Sequence, residues 1–336
     1  VITKEEASAL LVELDDSAGT VASAPAARRV PAPILPPAIK LKGFMNLASY
    51  WRENDTTRNT DTFRIRQARL VAYGDPHPNY SYKMGFAFER DAPILLDAEI
   101  DYKLSPRTTV AFGQFKLPLS HESIISGKNI DMVDRAQFIN QFRPANGRDT
   151  GIRFTHALGA VSQLEIGAFN GSGKNNLDTG DPDALVARFS GSYTAGDLLL
   201  QPEAAFLSAS TETGDATPIE DDITAAAGFS PYDKTLRQVG LRSRYGRFTY
   251  KMEFIQGRYS SKDDVLGSVI ADGVFHQAGW DFDSKHTLFW RYETFDPDMS
   301  VTTDTDIVWN TIALNYRARK QVLYKLNYVD KKEAVN

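Results

Sequence analysis

Cysteine is absent from the 336 residues, which excludes a disulfide framework, a cysteine zinc ribbon and a thiol nucleophile. Long apolar runs are missing as well. Mean hydropathy is −0.35, and no stretch approaches the roughly 18 apolar residues of a membrane-spanning helix, so a helical membrane protein is excluded. There is no basic excess: Lys+Arg 38 against Asp+Glu 43 gives a net charge of −5, which argues against a nucleic-acid partner. Histidine is scarce. His77, His121, His156, His276 and His286 are scattered with no metal-ligand spacing, so neither a metal nor another cofactor is expected. Ser120-His121-Glu122 is contiguous, whereas a catalytic triad converges from separate chain positions, and it is read as accidental. Gly171-Ser172-Gly173-Lys174 lacks the first glycine of a phosphate loop, and Asn175 stands where Ser or Thr is needed. No enzyme is indicated. The acidic groups Asp178, Asp181, Asp183 and Asp296, Asp298 are read as solvated loop carboxylates rather than a Ca²⁺ site.

What is present suits strands. Gly (23), Tyr (14) and Phe (19) are abundant. From residue 39 the apolar period is two. Tyr80, Tyr82, Met84, Phe86 and Phe88 alternate with Ser81, Lys83, Gly85, Ala87 and Glu89. Val322, Tyr324, Leu326 and Tyr328 alternate with Leu323, Lys325 and Asn327, and 96–103, 185–193 and 288–293 behave alike. Such alternation gives a strand with one apolar and one polar face. Less clean candidates lie at 40–52, 61–73, 107–117, 149–157, 161–170, 198–210, 234–245, 247–259, 268–281 and 305–317. Most are about ten residues long, whereas soluble strands average about five or six, and roughly nine to eleven suit a tilted bilayer crossing.

The connections sort by length. Tight links such as GDPHPN (74–79), ALGA (157–160), TAGD (194–197) and YGR (245–247) alternate with long ones at 52–61, 118–147, 170–183 and 211–233. Short turns at one end and long loops at the other mark an outer-membrane β-barrel. Tyr102, Tyr193, Trp280 and Tyr316 near the tight turns suit a membrane–water interface. The expected fold is therefore all-β, a transmembrane antiparallel β-barrel in the bacterial outer membrane, surrounded by lipid and lipopolysaccharide. Fifteen strands are visible in residues 39–336. Single-chain bacterial barrels carry even numbers, so a final strand is expected beyond residue 336, making 16; a strand hidden near 211–235 is the alternative.

Residues 1–38 differ. A short helical pattern with Thr3 and Glu6 as a capping box precedes an Ala/Pro-rich stretch ending in Pro36-Pro37. The readings are a disordered periplasmic tail, or a tether for a periplasmic partner that would make the barrel a sleeve or anchor. Val1 and the lack of a charged-then-apolar leader suggest a processed chain.

Several segments resemble the phosphate-selective porin (porin O and P) family. They are Phe63-Arg64-Ile65-Arg66-Gln67-Ala68-Arg69-Leu70; Gly113 through Ser120 (GQFKLPLS) with Glu122; Arg148-Asp149-Thr150-Gly151-Ile152-Arg153; Ala168 through Gly173 (AFNGSG); and Leu314-Asn315-Tyr316 followed by Asn327-Tyr328. The resemblance spans 40–330 and implies a sixteen-stranded homotrimeric porin whose third extracellular loop folds into the lumen, passing small anions such as phosphate.

The lumen can be read by parity. The inward set contains Lys83, Arg153, Arg188, Arg242, Arg244, Lys251, Arg291 and Lys325 against Glu89, Asp97, Glu99, Asp101, Glu165, Glu203, Glu253 and Glu293. Arg64, Arg66, Arg69 and Lys116 escape simple alternation. With Phe63 and Ile65 outward, Arg69 would face lipid at a cost of about 2–4 kcal/mol near the midplane. A bulge near Gln67 turns Arg64, Arg66 and Arg69 all inward, and is the reading preferred. The constriction is placed at 118–147, a loop long enough to be functional, carrying Lys128, Arg135 and Arg143 with Arg148 and Arg153 at its exit, opposed by Glu122, Asp131 and Asp134. These cations make a charged eyelet, or pin the loop to the wall as salt bridges. The net result is a channel for passive diffusion of small hydrophilic solutes that mildly prefers anions. The acidic row Asp97, Glu99 and Asp101 argues against strict phosphate specificity.

Overall fold

The structure, a computed structural model, describes residues 39–51, 62–142, 147–176, 183–210, 232–262, 267–299 and 307–333. The helix and linker expected in 1–38, the loop at 52–61 and most of 211–235 lie outside them.

Alternating sequence becomes one antiparallel sheet. Its strands are β1 (Lys40–Tyr50), β2 (Thr62–His77), β3 (Tyr80–Ala87), β4 (Ile94–Ser105), β5 (Thr108–Lys116), β6 (Arg148–Ala157), β7 (Ser162–Phe169) and β8 (Ala184–Gly191). There follow β9 (Tyr193–Ala195), β10 (Leu198–Ser210), β11 (Tyr232–Tyr245), β12 (Phe248–Ser261), β13 (Ser268–Asp281), β14 (His286–Asp296), β15 (Ile307–Arg319) and β16 (Val322–Glu333). Each strand pairs with the next along the chain, β8 and the three-residue β9 both pairing with β10. They share one register on β10, interrupted at Ser192, whose N–H turns to Val161 O. The sixteen segments are thus the fifteen strands of the sequence pattern. Among the described residues no ladder joins β1 to β16.

The tight turns sit where the chain can reverse within a residue or two. Gly196 and Gly246, with φ of 59° and 55°, take the left-handed backbone those links require. In β1–β2, Asn46 pairs with Gln67 and Leu47 with Ile65, so Arg66 is an extra residue, the bulge expected near Gln67. Phe63 stays outward at 88% exposure, while Arg69 pairs with Glu89 on the other face.

Between β5 and β6 the chain leaves the wall. Two short helices form there, α1 (His121–Ile124) and α2 (Gln137–Gln141). Their segment touches both ends of the sheet. Val133 N–H donates to Asn327 of β16, while the Asp134 carboxylate receives Arg66 of β2 at 2.7 Å. One short loop can meet both β2 and β16 when the sheet curls round it, so the segment lies inside a barrel. Lys325 points inward to Ile130 O and Met132 O, and its neighbour Leu326 is 66% exposed on the outer wall. Oily residues face out.

The inner wall is less polar than parity implied. Phe115, Phe169, Leu207, Leu236, Tyr259 and Phe275 point inward and bury around Phe138, Ile139 and Phe142 of the loop. Each such side chain contributes roughly 1.5–3 kcal/mol on burial. Gly273 lets α2 approach: a Cβ there would meet Phe138 Cβ at 2.7 Å. Gly273→Ala is therefore expected to destabilise the barrel by about 1–3 kcal/mol through overpacking, read by denaturant unfolding, whereas an unchanged midpoint would show that α2 does not seat there.

Candidate constriction site

The loop is fastened at its helix ends. Ser120 caps α1 by accepting from Ser123 N–H at 3.1 Å. The N–H of His121 donates to Glu203 Oε1 and that of Glu122 to Glu253 Oε1, both at 2.8 Å. Gln137, opening α2, donates its N–H to Glu293 Oε2 at 3.0 Å. These amides have no partner within their own helix, so a wall carboxylate is a natural acceptor. At the other end of α1, Lys116 donates to Ser123 O, Ile124 O and Ile125 O at 3.2, 2.8 and 3.0 Å. Arg135 donates to Glu122 O and, at 2.6 Å, to Ile125 O. Cations thus meet the carbonyl end. Burial lowers the Arg135 pKa.

Further along, the Asp131 carboxylate accepts from Lys251 and, at 2.7 Å, from Gln277. Asn315 donates to Asp131 O, and Arg291 to Asp134 O at 3.2 Å. Glu203, Glu253 and Glu293, read from parity as charges facing solutes, instead hold the loop. Gln277 was not singled out in the sequence, and Asn315 and Asn327 stood out only as parts of a strand pattern or of family-like segments; an inward amide on a strand carries no mark of its distant partner.

His121 accepts from Arg242 Nη1 through Nε2 at 3.1 Å, because a guanidinium has no lone pair to offer. Burial first, and then the Arg242 charge, push its pKa down from 6.5 to about 2. The folded value lies below the unfolded one, so the unfolded chain binds the extra proton and stability falls as pH drops from about 6.5 towards 2. His121→Gln should flatten that part of the pH–stability curve; an identical acid slope in both proteins would refute the assignment.

The remaining predicted cations divide in two. Arg188 bridges Glu165 and Glu203, each at 2.6 Å, and Arg148 reaches Asp97 at 3.1 Å. Lys83 pairs with Glu99, Arg153 lies 3.8 Å from Glu165 and 4.8 Å above the Phe115 ring, and Arg244 meets Asp281 at 2.5 Å near the tight-turn end. Arg64 is different: exposed, it stands 5.6 Å from the Tyr50 ring. Lys128, exposed on the loop, lies 6.0 Å from the Phe44 ring. Among the described residues no carboxylate pairs with either. Arg143 lies outside those residues.

Two sides of the lumen emerge. The inner face of β10–β14 is sealed under the loop, with Glu253, Arg291 and Glu293 buried. The inner face of β1–β6 stays wetted in part, with Arg64 exposed and Arg66, Lys83, Glu99 and Arg153 part-exposed, although Phe115 and Asp149 are buried there. A water-filled passage between this wall and an inward loop is the architecture of a diffusion channel. The family model for phosphate-selective porin O and P matches residues 44–336. The chain belongs to this family. As a member of the porin O and P family it is an outer-membrane channel for passive diffusion.

Solved porins share the fold. The anion-selective porin from Comamonas acidovorans aligns with TM-score 0.67 at 12% identity, covering 89% of this chain and 90% of that one. OmpF of Salmonella typhi in complex with daunomycin gives 0.62 at 11%, covering 90% and 92%. The outer membrane channel DcaP of Acinetobacter baumannii gives 0.58 at 15%, covering 88% and 91%. At these identities the likeness is one of fold. No curated sequence matches the chain.

Proposed function

We propose that the segment 118–147 is the constriction of this porin and that small anions, phosphate-like ones included, cross it more readily than cations. The observation that carries this reading is the charge balance on the wetted side. Glu89, Asp97, Glu99, Glu165 and Asp134 are each paired with Arg or Lys, and Asp101, down at the tight-turn end, accepts from Ser81 instead. At the level of the loop Arg64 and Lys128 face the passage with no described carboxylate against them. Paired charges cancel at the distance of a passing ion, so the unpaired cations set the sign of the local field. The anion-selective porin of Comamonas acidovorans, which shares the fold, has the same preference. A homotrimer is the proposed assembly, supported by the family and by the trimer form solved for the fold-sharing OmpT of Vibrio cholerae.

The test is the reversal potential of the purified porin in planar bilayers under a KCl gradient. Its sign should correspond to chloride permeating faster than potassium. A potential of the opposite sign overturns the anion preference and leaves the channel itself standing.

A further inference from the structure

The outer wall of β10–β13 changes character with height. Near its middle the cross-strand row Ala204, Val239, Phe254, Val274 is apolar, as lipid tails require. The next row towards the long loops reads Phe206, Arg237, Gln256, Asp272, and the one beyond it Ser208, Thr235, Arg258, Ile270. Arg237 and Arg258 are exposed on this outward face, each flanked by inward, buried neighbours: Leu236 and Gln238 on β11, Gly257 and Tyr259 on β12. Arg237 pairs across with Gln256 and Arg258 with Thr235, so the two guanidinium stems are diagonal neighbours about 7–8 Å apart at their bases.

Their height fixes their surroundings. Arg258 is ten residues above Phe248, at the tight turn, and Arg237 eight above Tyr245. At about 3.3 Å per residue and a tilt of about 40° they stand about 25 and 20 Å above the turn end, the upper edge of an apolar band about 25 Å tall. A long cationic side chain there can lift its charge to the headgroup layer. Among the described residues no carboxylate pairs with either arginine; Arg258 Nη2 makes a long 3.4 Å contact to Ser268 Oγ. Asp233, the nearest outward acid on β11, accepts from Ser210 Oγ at 2.7 Å. Beside Arg258 the wall holds a hollow of about 460 Å³ whose polar lining is Ser208, Ser210, Thr235 and Ser260 together with the carboxylates of Asp183 and Asp233 and with Lys234. Asp272 is only a diagonal neighbour of Arg258. Two arginines that no described carboxylate pairs with, a recess of hydroxyls and carboxylates able to bond sugar hydroxyls, and an oily wall directly below suit an amphiphile whose headgroup carries phosphate on sugar.

We propose that this wall binds the phosphorylated headgroup of an outer-leaflet glycolipid, Arg237 and Arg258 receiving the phosphate and the serine and threonine hydroxyls the sugar. The site rests on the outer-membrane location and is independent of which ions pass the lumen. It is tested by titrating the full chain in detergent with diphosphorylated lipid A, read by native mass spectrometry. Arg237→Gln with Arg258→Gln should weaken binding about thirtyfold, since each arginine near a charged membrane surface contributes a factor of about five. Arg237→Lys with Arg258→Lys should retain most of the affinity, and unchanged single-channel conductance would show that all variants are folded. Dephosphorylated lipid A should bind as weakly as the glutamine variant does, and inorganic phosphate should fail to displace the lipid. Equal binding by the glutamine variant, equal binding of the dephosphorylated lipid, or displacement by free phosphate overturns the proposal. So does loss of subunit assembly in the glutamine variant with lipid binding intact, which would make this wall a contact between copies.

Discussion

Arg188→Ala is expected to cost the barrel about 3–5 kcal/mol, the range for removing one partner of a buried ion pair. The guanidinium sits between Glu165 and Glu203, whose side chains are 9% and 1% exposed. Without it two carboxylates remain in a water-poor site, Glu203 with no other ion-pair partner among the described residues and Glu165 with only Arg153 at 3.8 Å to offset its desolvation. Glu203 Oε1 also accepts from Gln238 Nε2 and from the first amide of α1, so the damage should extend to the loop. Urea unfolding from micelles measures the first effect, and open-channel current noise the second. Adding Glu165→Gln and Glu203→Gln should recover most of the lost stability, because neutral amides tolerate burial better than lone charges. A loss below about 1 kcal/mol would place this triad in the class of weak surface pairs.

Arg64→Glu carries the largest expected effect on permeation. A unit charge about 7 Å from an ion in water contributes about 0.6 kcal/mol, roughly halved by screening at about 0.1 M salt. The substitution changes the charge by two units. It therefore raises the barrier for an anion and lowers that for a cation by about 0.6 kcal/mol each, and the anion-to-cation permeability ratio should fall about sevenfold. Lys83→Gln is the contrasting case: it removes a cation but frees Glu99, and should also shift the ratio towards cations. Arg64→Lys, which keeps the charge, should leave the reversal potential almost where it was. A similar shift from lysine and from glutamate would mean that Arg64 acts through its packing on Tyr50 rather than its charge.

Much of the architecture was legible because a strand with lipid on one face and water or loop on the other keeps its two-residue period over about ten residues. Phe63, Ile65 and Leu70 could all face outward only if one residue were added between them, which is why the bulge at Arg66 followed from the cost of burying Arg69 in lipid. The inner wall was harder for a related reason. On β13, Val274 and Phe275 are equally apolar, yet Val274 faces outward and Phe275 packs on Phe138. Parity assigns faces, and an apolar pair at adjacent positions satisfies either assignment. The fastening of the loop was out of reach altogether. Ser120-His121-Glu122 offered a false catalytic pattern, whereas its amides, imidazole and hydroxyl serve as a docking plug. Lys116 and Arg135 turn to carbonyls at the end of α1 in the same loop region, while Arg148 and Arg188 pair with carboxylates on other strands, and neither arrangement leaves a mark in the local sequence. The open cations Arg64 and Lys128 looked no different in sequence from the paired ones.

The reach of the inward loop also bears on how the molecule comes together. Ile130 and Val133 hold Lys325 and Asn327, residues 195 and 194 positions downstream, while Arg66 is bound from 68 positions upstream. Those bonds cannot form until residues 325–327, almost two hundred positions after the loop, have been synthesised. Assembly is therefore committed late and all at once, with the rate set by bringing remote segments together, and truncated chains would be left with an unsecured stopper and nothing to close upon.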